Sequence, residues 1–185
     1  MSGPGTSSPA VPEGSRAQRR RVAFFFDDYF DRDARLLEVG PGDGWLGAYL
    51  VHAGFLGYRR LAAAPPADYL GELGDWSELG LAPGSFEIVI AFDGLAGRRE
   101  FANCFALLVP GGRLFLAAPR PGRGALARLL AGLGLRRPNA GDAAPLDPAE
   151  LGGFRVRKRR RAGLVDEWVS LQKPLDSSSE LRVEP

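Results

Sequence analysis

Leu36-Leu37-Glu38-Val39-Gly40-Pro41-Gly42-Asp43-Gly44-Trp45-Leu46-Gly47 decides the fold. An apolar run rich in β formers (Leu36, Leu37, Val39) stops at a glycine-rich turn, and a helical pattern follows at once. Strand, turn and helix in that order make the nucleotide-binding unit of an α/β domain. The glycines permit backbone angles closed to other residues, and without a Cβ they let a ligand lie against the main chain. The helix that follows points its free N–H groups and its positive end at the same place.

Two cofactor classes compete for this turn. Gly42 to Gly47 spells G-x-G-x-x-G, which alone suits a dinucleotide pyrophosphate such as that of NAD. Yet glycines also alternate at 40, 42 and 44, with Glu38 two residues before the first. A carboxylate there repels a pyrophosphate and suits a cationic ligand. A tight turn that binds nothing is the bland alternative. The stretch resembles motif I of the class I S-adenosylmethionine-dependent methyltransferases, whose pattern is acid-x-G-x-G-x-G. That resemblance implies that Glu38, Gly40, Pro41, Gly42, Asp43 and Gly44 hold S-adenosylmethionine.

The rest of the chain bounds the reading. Its 185 residues are one domain's worth, 45% apolar and 25% charged, as in an ordinary globular protein. Cys104 is the only cysteine, so neither an intramolecular disulfide nor a cysteine-based zinc site can form, and no metal is expected. No apolar run reaches membrane-spanning length and the start lacks a signal-peptide core, so a soluble cytoplasmic protein without membrane contact is expected. Net charge is +2, unevenly spread: residues 24–100 carry 13 acids against 6 Lys/Arg, and residues 101–173 carry 13 Lys/Arg against 5 acids. The halves could neutralise each other on folding or steer an anionic partner.

Residues 1–15, rich in Ser, Gly and Pro, read as a disordered leader, 16–173 as a single domain and 174–185 as a disordered tail. A helical pattern runs from Arg16 to Asp33, with Val22, Phe25, Phe26, Tyr29 and Phe30 spaced to pack on a sheet. Trp45 to Gly54 suits the helix after the turn, and His52, well along it, reads as solvated rather than catalytic. Tyr58-Arg59-Arg60-Leu61-Ala62 is a second strand, and Asp68-Tyr69-Leu70-Gly71 a third that follows with too few residues between for a crossover helix. That helix is expected to be missing.

Further matches to the same family lie downstream. Gly74-Asp75-Trp76 and Gly84-Ser85-Phe86-Glu87-Ile88-Val89-Ile90 resemble its next two motifs. They imply that Asp75 meets the adenine amino group, with Trp76 beside the ring, and that Ala91 borders the cofactor where the fourth strand ends. Asp93, just past that strand, is the candidate for substrate contact or catalytic base. Phe101, Cys104, Phe105 and Leu108 share a helical face, which makes Cys104 a core residue. Leu107-Leu108-Val109-Pro110-Gly111-Gly112 followed by Arg113 to Leu116 resembles the family's helix, Pro-Gly-Gly turn and fifth strand. One departure is plain: the family's second strand ends in an acid for the ribose hydroxyls, and Ala62, Ala63 and Ala64 stand there instead.

Arg123 to Leu135 suits another helix, and Asp147-Pro148-Ala149-Glu150 the start of a short one. Two antiparallel strands close the chain, from Gly153 and from Leu164. Alternation would put Arg155, Arg157, Arg159 and Arg161 on one strand face, a grip for phosphates of RNA or of a phosphorylated metabolite, or a solvated edge. No aromatic residue is interleaved to stack a base, which favours the edge.

The resulting expectation is a doubly wound, mostly parallel Rossmann-like α/β sheet with a terminal antiparallel hairpin. Resemblance implies methyl transfer from S-adenosylmethionine, with a small molecule as the expected acceptor. Against it stands a methyltransferase-like binding or scaffold protein without catalysis.

Overall fold

The computed structural model describes residues 13–42, 44–92, 95, 98–119, 153–162 and 166–175. The segments suggested as helices at Arg123 to Leu135 and after Asp147 lie outside the described residues, as do most of the leader and tail.

Seven strands form one sheet: β1 (Leu36–Val39), β2 (Tyr58–Ala62), β3 (Tyr69–Leu70), β4 (Phe86–Ala91), β5 (Leu108–Pro119), β6 (Arg155–Arg161) and β7 (Asp166–Gln172). Their order is β3-β2-β1-β4-β5-β7-β6. The first five are parallel, while β7 runs antiparallel between β5 and β6. Central strands are apolar on both sides because both sides are covered. Leu36, Ile88, Ile90, Phe115 and Trp168 pack on one face, and Leu37, Val89, Leu114, Leu116, Val169 and Leu171 on the other.

Helix α1 (Arg16–Phe25) and helix α2 (Trp45–His52) cover the first face. Ser15 caps α1 with a reciprocal Gln18 contact. The helix stops eight residues short of Asp33, at Phe25, with Phe26 as its C-cap. Asp27 and Asp28 oppose the negative C-terminal end of the helix, and basic side chains of the sheet hold them instead: Arg160 to Asp27 at 2.5 Å and Arg113 to Asp28 at 2.6 Å. Spacing past the stop loses its meaning, so Tyr29 is 93% exposed rather than packed. The remaining aromatics converge, with Phe25 fully buried against Phe26, Phe30, Phe55 and Phe115.

Helix α3 (Arg98–Leu107) covers the other face, with Phe101, Cys104 and Leu107 inward. Burial pushes the Cys104 thiol far above its ordinary range, so it is a packing residue. Beyond α3 the chain enters β5 through an irregularity around Val109–Gly112, where pairing jumps from Leu108 to Arg113. Lys173, buried at the end of β7, donates to the carbonyls of Phe105 and Leu108 and ties down the last turn of α3.

No helix lies between β2 and β3, whose parallel pairing is reached through residues 63–68 alone. The face expected to carry four arginines does not form. Val156 pairs with Leu171 and Lys158 with Ser170, so Arg157 is an extra residue that throws the following side chains to the opposite faces. Lys158 therefore turns toward α1 and donates to the Phe24 carbonyl at 2.7 Å, while Arg159 pairs with Glu167. Within the described residues no helix is long and apolar enough to cross a membrane.

Candidate functional site

The strand order turns back on itself between β1 and β4, and the crevice at the carboxyl ends of those strands is where such sheets receive ligands. The glycine-rich turn closes β1 at that place. Gly40 and Gly44 have φ of 116° and 72°, backbone shapes that any other residue would hold under strain. Gly44 is the N-cap of α2 and offers no side chain to its free N–H groups. Pro41 is exposed at the tip, and Asp43 lies outside the described residues.

Glu38 is buried beneath the turn, 8% exposed, on the sheet face covered by α2. It accepts a hydrogen bond from the Tyr58 hydroxyl. Burial, then the Glu38 charge and that hydrogen bond, push the Tyr58 phenol well above its ordinary range, so Tyr58 stays a proton donor. Gly47 makes the arrangement possible, because a Cβ there would overlap the Tyr58 ring.

Arg60, which stands opposite Glu38 in the β1–β2 register, is the residue that sequence reading passed over. It is 7% exposed. Its guanidinium donates to the carbonyls of Pro41 at 2.6 Å and Gly42 at 2.8 Å, and to that of Pro66 at 2.8 Å. The turn is thus clamped from below by a cation. A signal for it existed: Tyr58, Arg60 and Ala62 share one face of a strand whose neighbour carries an acid on the same side. Nothing local, however, tells that Arg60 and Glu38 stand opposite each other.

Asp75 ends a short 3-10 helix (Leu73–Asp75) beyond β3 and is exposed, its backbone carbonyl accepting from the amides of Glu78 and Leu79. Trp76 packs partly against the apolar core beside Leu73 and Leu79. Ala91 is fully buried at the carboxyl end of β4, and Asp93 lies outside the described residues. His52 is exposed on α2, away from the crevice. Ala62 is buried, while Ala63 and Ala64 are exposed and bring no polar side chain to the end of β2. A cavity of about 360 Å³ runs along α2 where the crossover helix is missing, between Ala48 and Val51 on one wall and Pro66 to Asp68 on the other.

No family model matches the chain, and no curated protein does. Solved structures do. A 1,6-didemethyltoxoflavin-N1-methyltransferase from Burkholderia thailandensis, with 1,6-didemethyltoxoflavin and S-adenosylhomocysteine bound, aligns over 86% of this chain and 79% of its own at 16% identity and a TM-score of 0.53. An S-adenosylmethionine-dependent methyltransferase from Methanosarcina mazei aligns over 82% of this chain and 98% of its own, at 16% identity and a TM-score of 0.55. The (4+2)-cyclase SpnF aligns over 86% and 81%, at 12% identity and a TM-score of 0.63. The chain is similar to all three in architecture. Strand order, hairpin and glycine turn together give it the Rossmann-like fold of the class I S-adenosylmethionine-dependent methyltransferases.

Proposed function

We propose that this protein is an S-adenosylmethionine-dependent methyltransferase acting on a small molecule. The observation that carries the reading is the position of the glycine turn: it lies at the carboxyl end of β1, beside the switch point, over a buried carboxylate. Gly40, Pro41, Gly42, Asp43 and Gly44 would hold the methionine part of the cofactor, with Glu38 supplying negative potential from beneath. Asp75 and Trp76 would hold the adenine, and Ala91 the floor between them. The bound cofactor supplies a methyl group on a cationic sulfur, ready for in-line displacement.

The residues of this chain contribute position and electrostatics. Arg60 and Tyr58 fix the turn and the Glu38 carboxylate in advance, so little reorganisation is needed on binding. Asp93, as the first polar residue past β4, is assigned to orient the acceptor or take its proton. Methyl transfer of this kind needs no metal, because the leaving sulfide is neutral.

A second reading has its own observation. With Ala62 to Ala64 at the end of β2, two hydroxyl hydrogen bonds to a carboxylate are missing, worth about 1–3 kcal/mol of cofactor affinity. That favours a methyltransferase-like binding module without turnover, and the same fold carries a cyclase elsewhere. Calorimetric titration separates the readings. Binding of S-adenosylmethionine and S-adenosylhomocysteine at micromolar levels, with none for NAD, is the expected result. No heat with either nucleoside supports the binding module, and heat with NAD alone a dinucleotide enzyme.

A further inference from the structure

Resting on the methyltransferase reading, we propose that the acceptor is a small anion, carrying a carboxylate or phosphate, held at the site's mouth by the basic first half of α1. The direction of α1 decides this. A Cβ on Gly14, just before the helix, would fall on the ring of Trp45, the first residue of α2 after the glycine turn. Two turns further, the Arg21 guanidinium sits 5.7 Å from the ring centre of Phe92, the residue directly after β4. At the other end, Asp28 meets Arg113, whose register partner is Ile88 near the start of β4. Helix α1 therefore runs down the sheet from its carboxyl edge, and its first turns border the crevice.

Those turns carry Arg16, Arg19, Arg20 and Arg21 with no acid in the first turn. Arginines at the positive end of a helix run against its dipole, and four of them repel one another. Among the described residues no carboxylate pairs with any of the four, whereas Asp27 and Asp28, just past the far end of the helix, are engaged by Arg113, Lys158 and Arg160. Helix α3, the next element after β4, also opens on exposed arginines, Arg98 and Arg99. Four arginines at the rim of a crevice, none paired with a carboxylate among the described residues, mark a place where a ligand completes the charge balance. Guanidinium groups in this number match carboxylate and phosphate oxygens in shape as well as charge.

The test uses the full chain and a fluorescent anion, 8-hydroxypyrene-1,3,6-trisulfonate, competed by inorganic phosphate, with S-adenosylhomocysteine titrated separately by calorimetry. In a triple variant Arg16→Gln, Arg19→Gln, Arg20→Gln, exposed positions where glutamine suits a helix equally well, dye affinity should fall about tenfold or more. Nucleoside affinity should stay within about twofold of wild type. Arg21→Gln alone should weaken the dye as well, and circular dichroism checks that the fold is kept. Unchanged dye affinity in the triple variant overturns the proposal, as does displacement of the dye by S-adenosylhomocysteine or only by an oligonucleotide. Failure of the wild type to bind the nucleoside overturns the methyltransferase reading itself. Nucleoside binding with dye affinity unmoved by the substitutions overturns only the anionic rim.

Discussion

Arg60→Met is expected to destabilise the protein by about 3–5 kcal/mol, read as a lower urea midpoint at constant slope. Methionine fills much of the same volume but makes none of the three hydrogen bonds to Pro41, Gly42 and Pro66. Those carbonyls would lose their donor, and the cation opposite the buried Glu38 in the β1–β2 register would be gone. A surface arginine removed in this way changes stability by well under 1 kcal/mol. The size of the loss therefore tells a buried clamp from an ornament. Arg60→Lys should recover only part of it, because one ammonium cannot reach two adjacent carbonyls of the turn and Pro66 in the same planar arrangement. The same variant should weaken S-adenosylhomocysteine more than it weakens the anionic dye, since it loosens the turn and leaves α1 untouched.

Phe25→Ala is the second large effect, with an expected loss of about 3–5 kcal/mol in equilibrium denaturation. The ring is completely buried and touches four others, from Phe26, Phe30, Phe55 and Phe115, with centroids 5.0 to 6.1 Å away. Those partners come from the C-cap of α1, the loop after it, the loop before β2, and β5. Because they are anchored in different elements, they cannot all close on the cavity that alanine leaves, and collapse stays incomplete. Phe25→Leu should cost clearly less, which separates lost volume from lost ring geometry.

How far the sequence alone reached follows the range of the forces involved. The β1–turn–α2 unit was legible because every signal in it is local: an apolar run, glycines at fixed offsets and a helical period. The same holds for the missing crossover helix, which follows from counting residues, and for the hairpin of β6 and β7. Three features depended on partners far away in the chain. Helix α1 ends at Phe25, and Asp27 and Asp28 just past it are taken by side chains on β5 and β6. The arginine face of β6 is broken at Arg157 by the register against β7, which no alternation in β6 itself reveals. Arg60 reads as one more basic residue in a strand until β1 and β2 are paired and Glu38 appears opposite it. Of the residues proposed for the cofactor, Gly40, Gly42 and Gly44 lie in the turn that closes β1, and Glu38 accepts from Tyr58 below it.

A crystal structure of the full chain with S-adenosylhomocysteine at millimolar concentration tests the central claim most directly. The expected density lies across the carboxyl ends of β1 and β4, its amino-acid end on Gly40 to Gly44 and its adenine toward Asp75, with Arg60 still bonded beneath the turn. An empty crevice at that concentration, or the nucleoside found in the cavity along α2 instead, would contradict it.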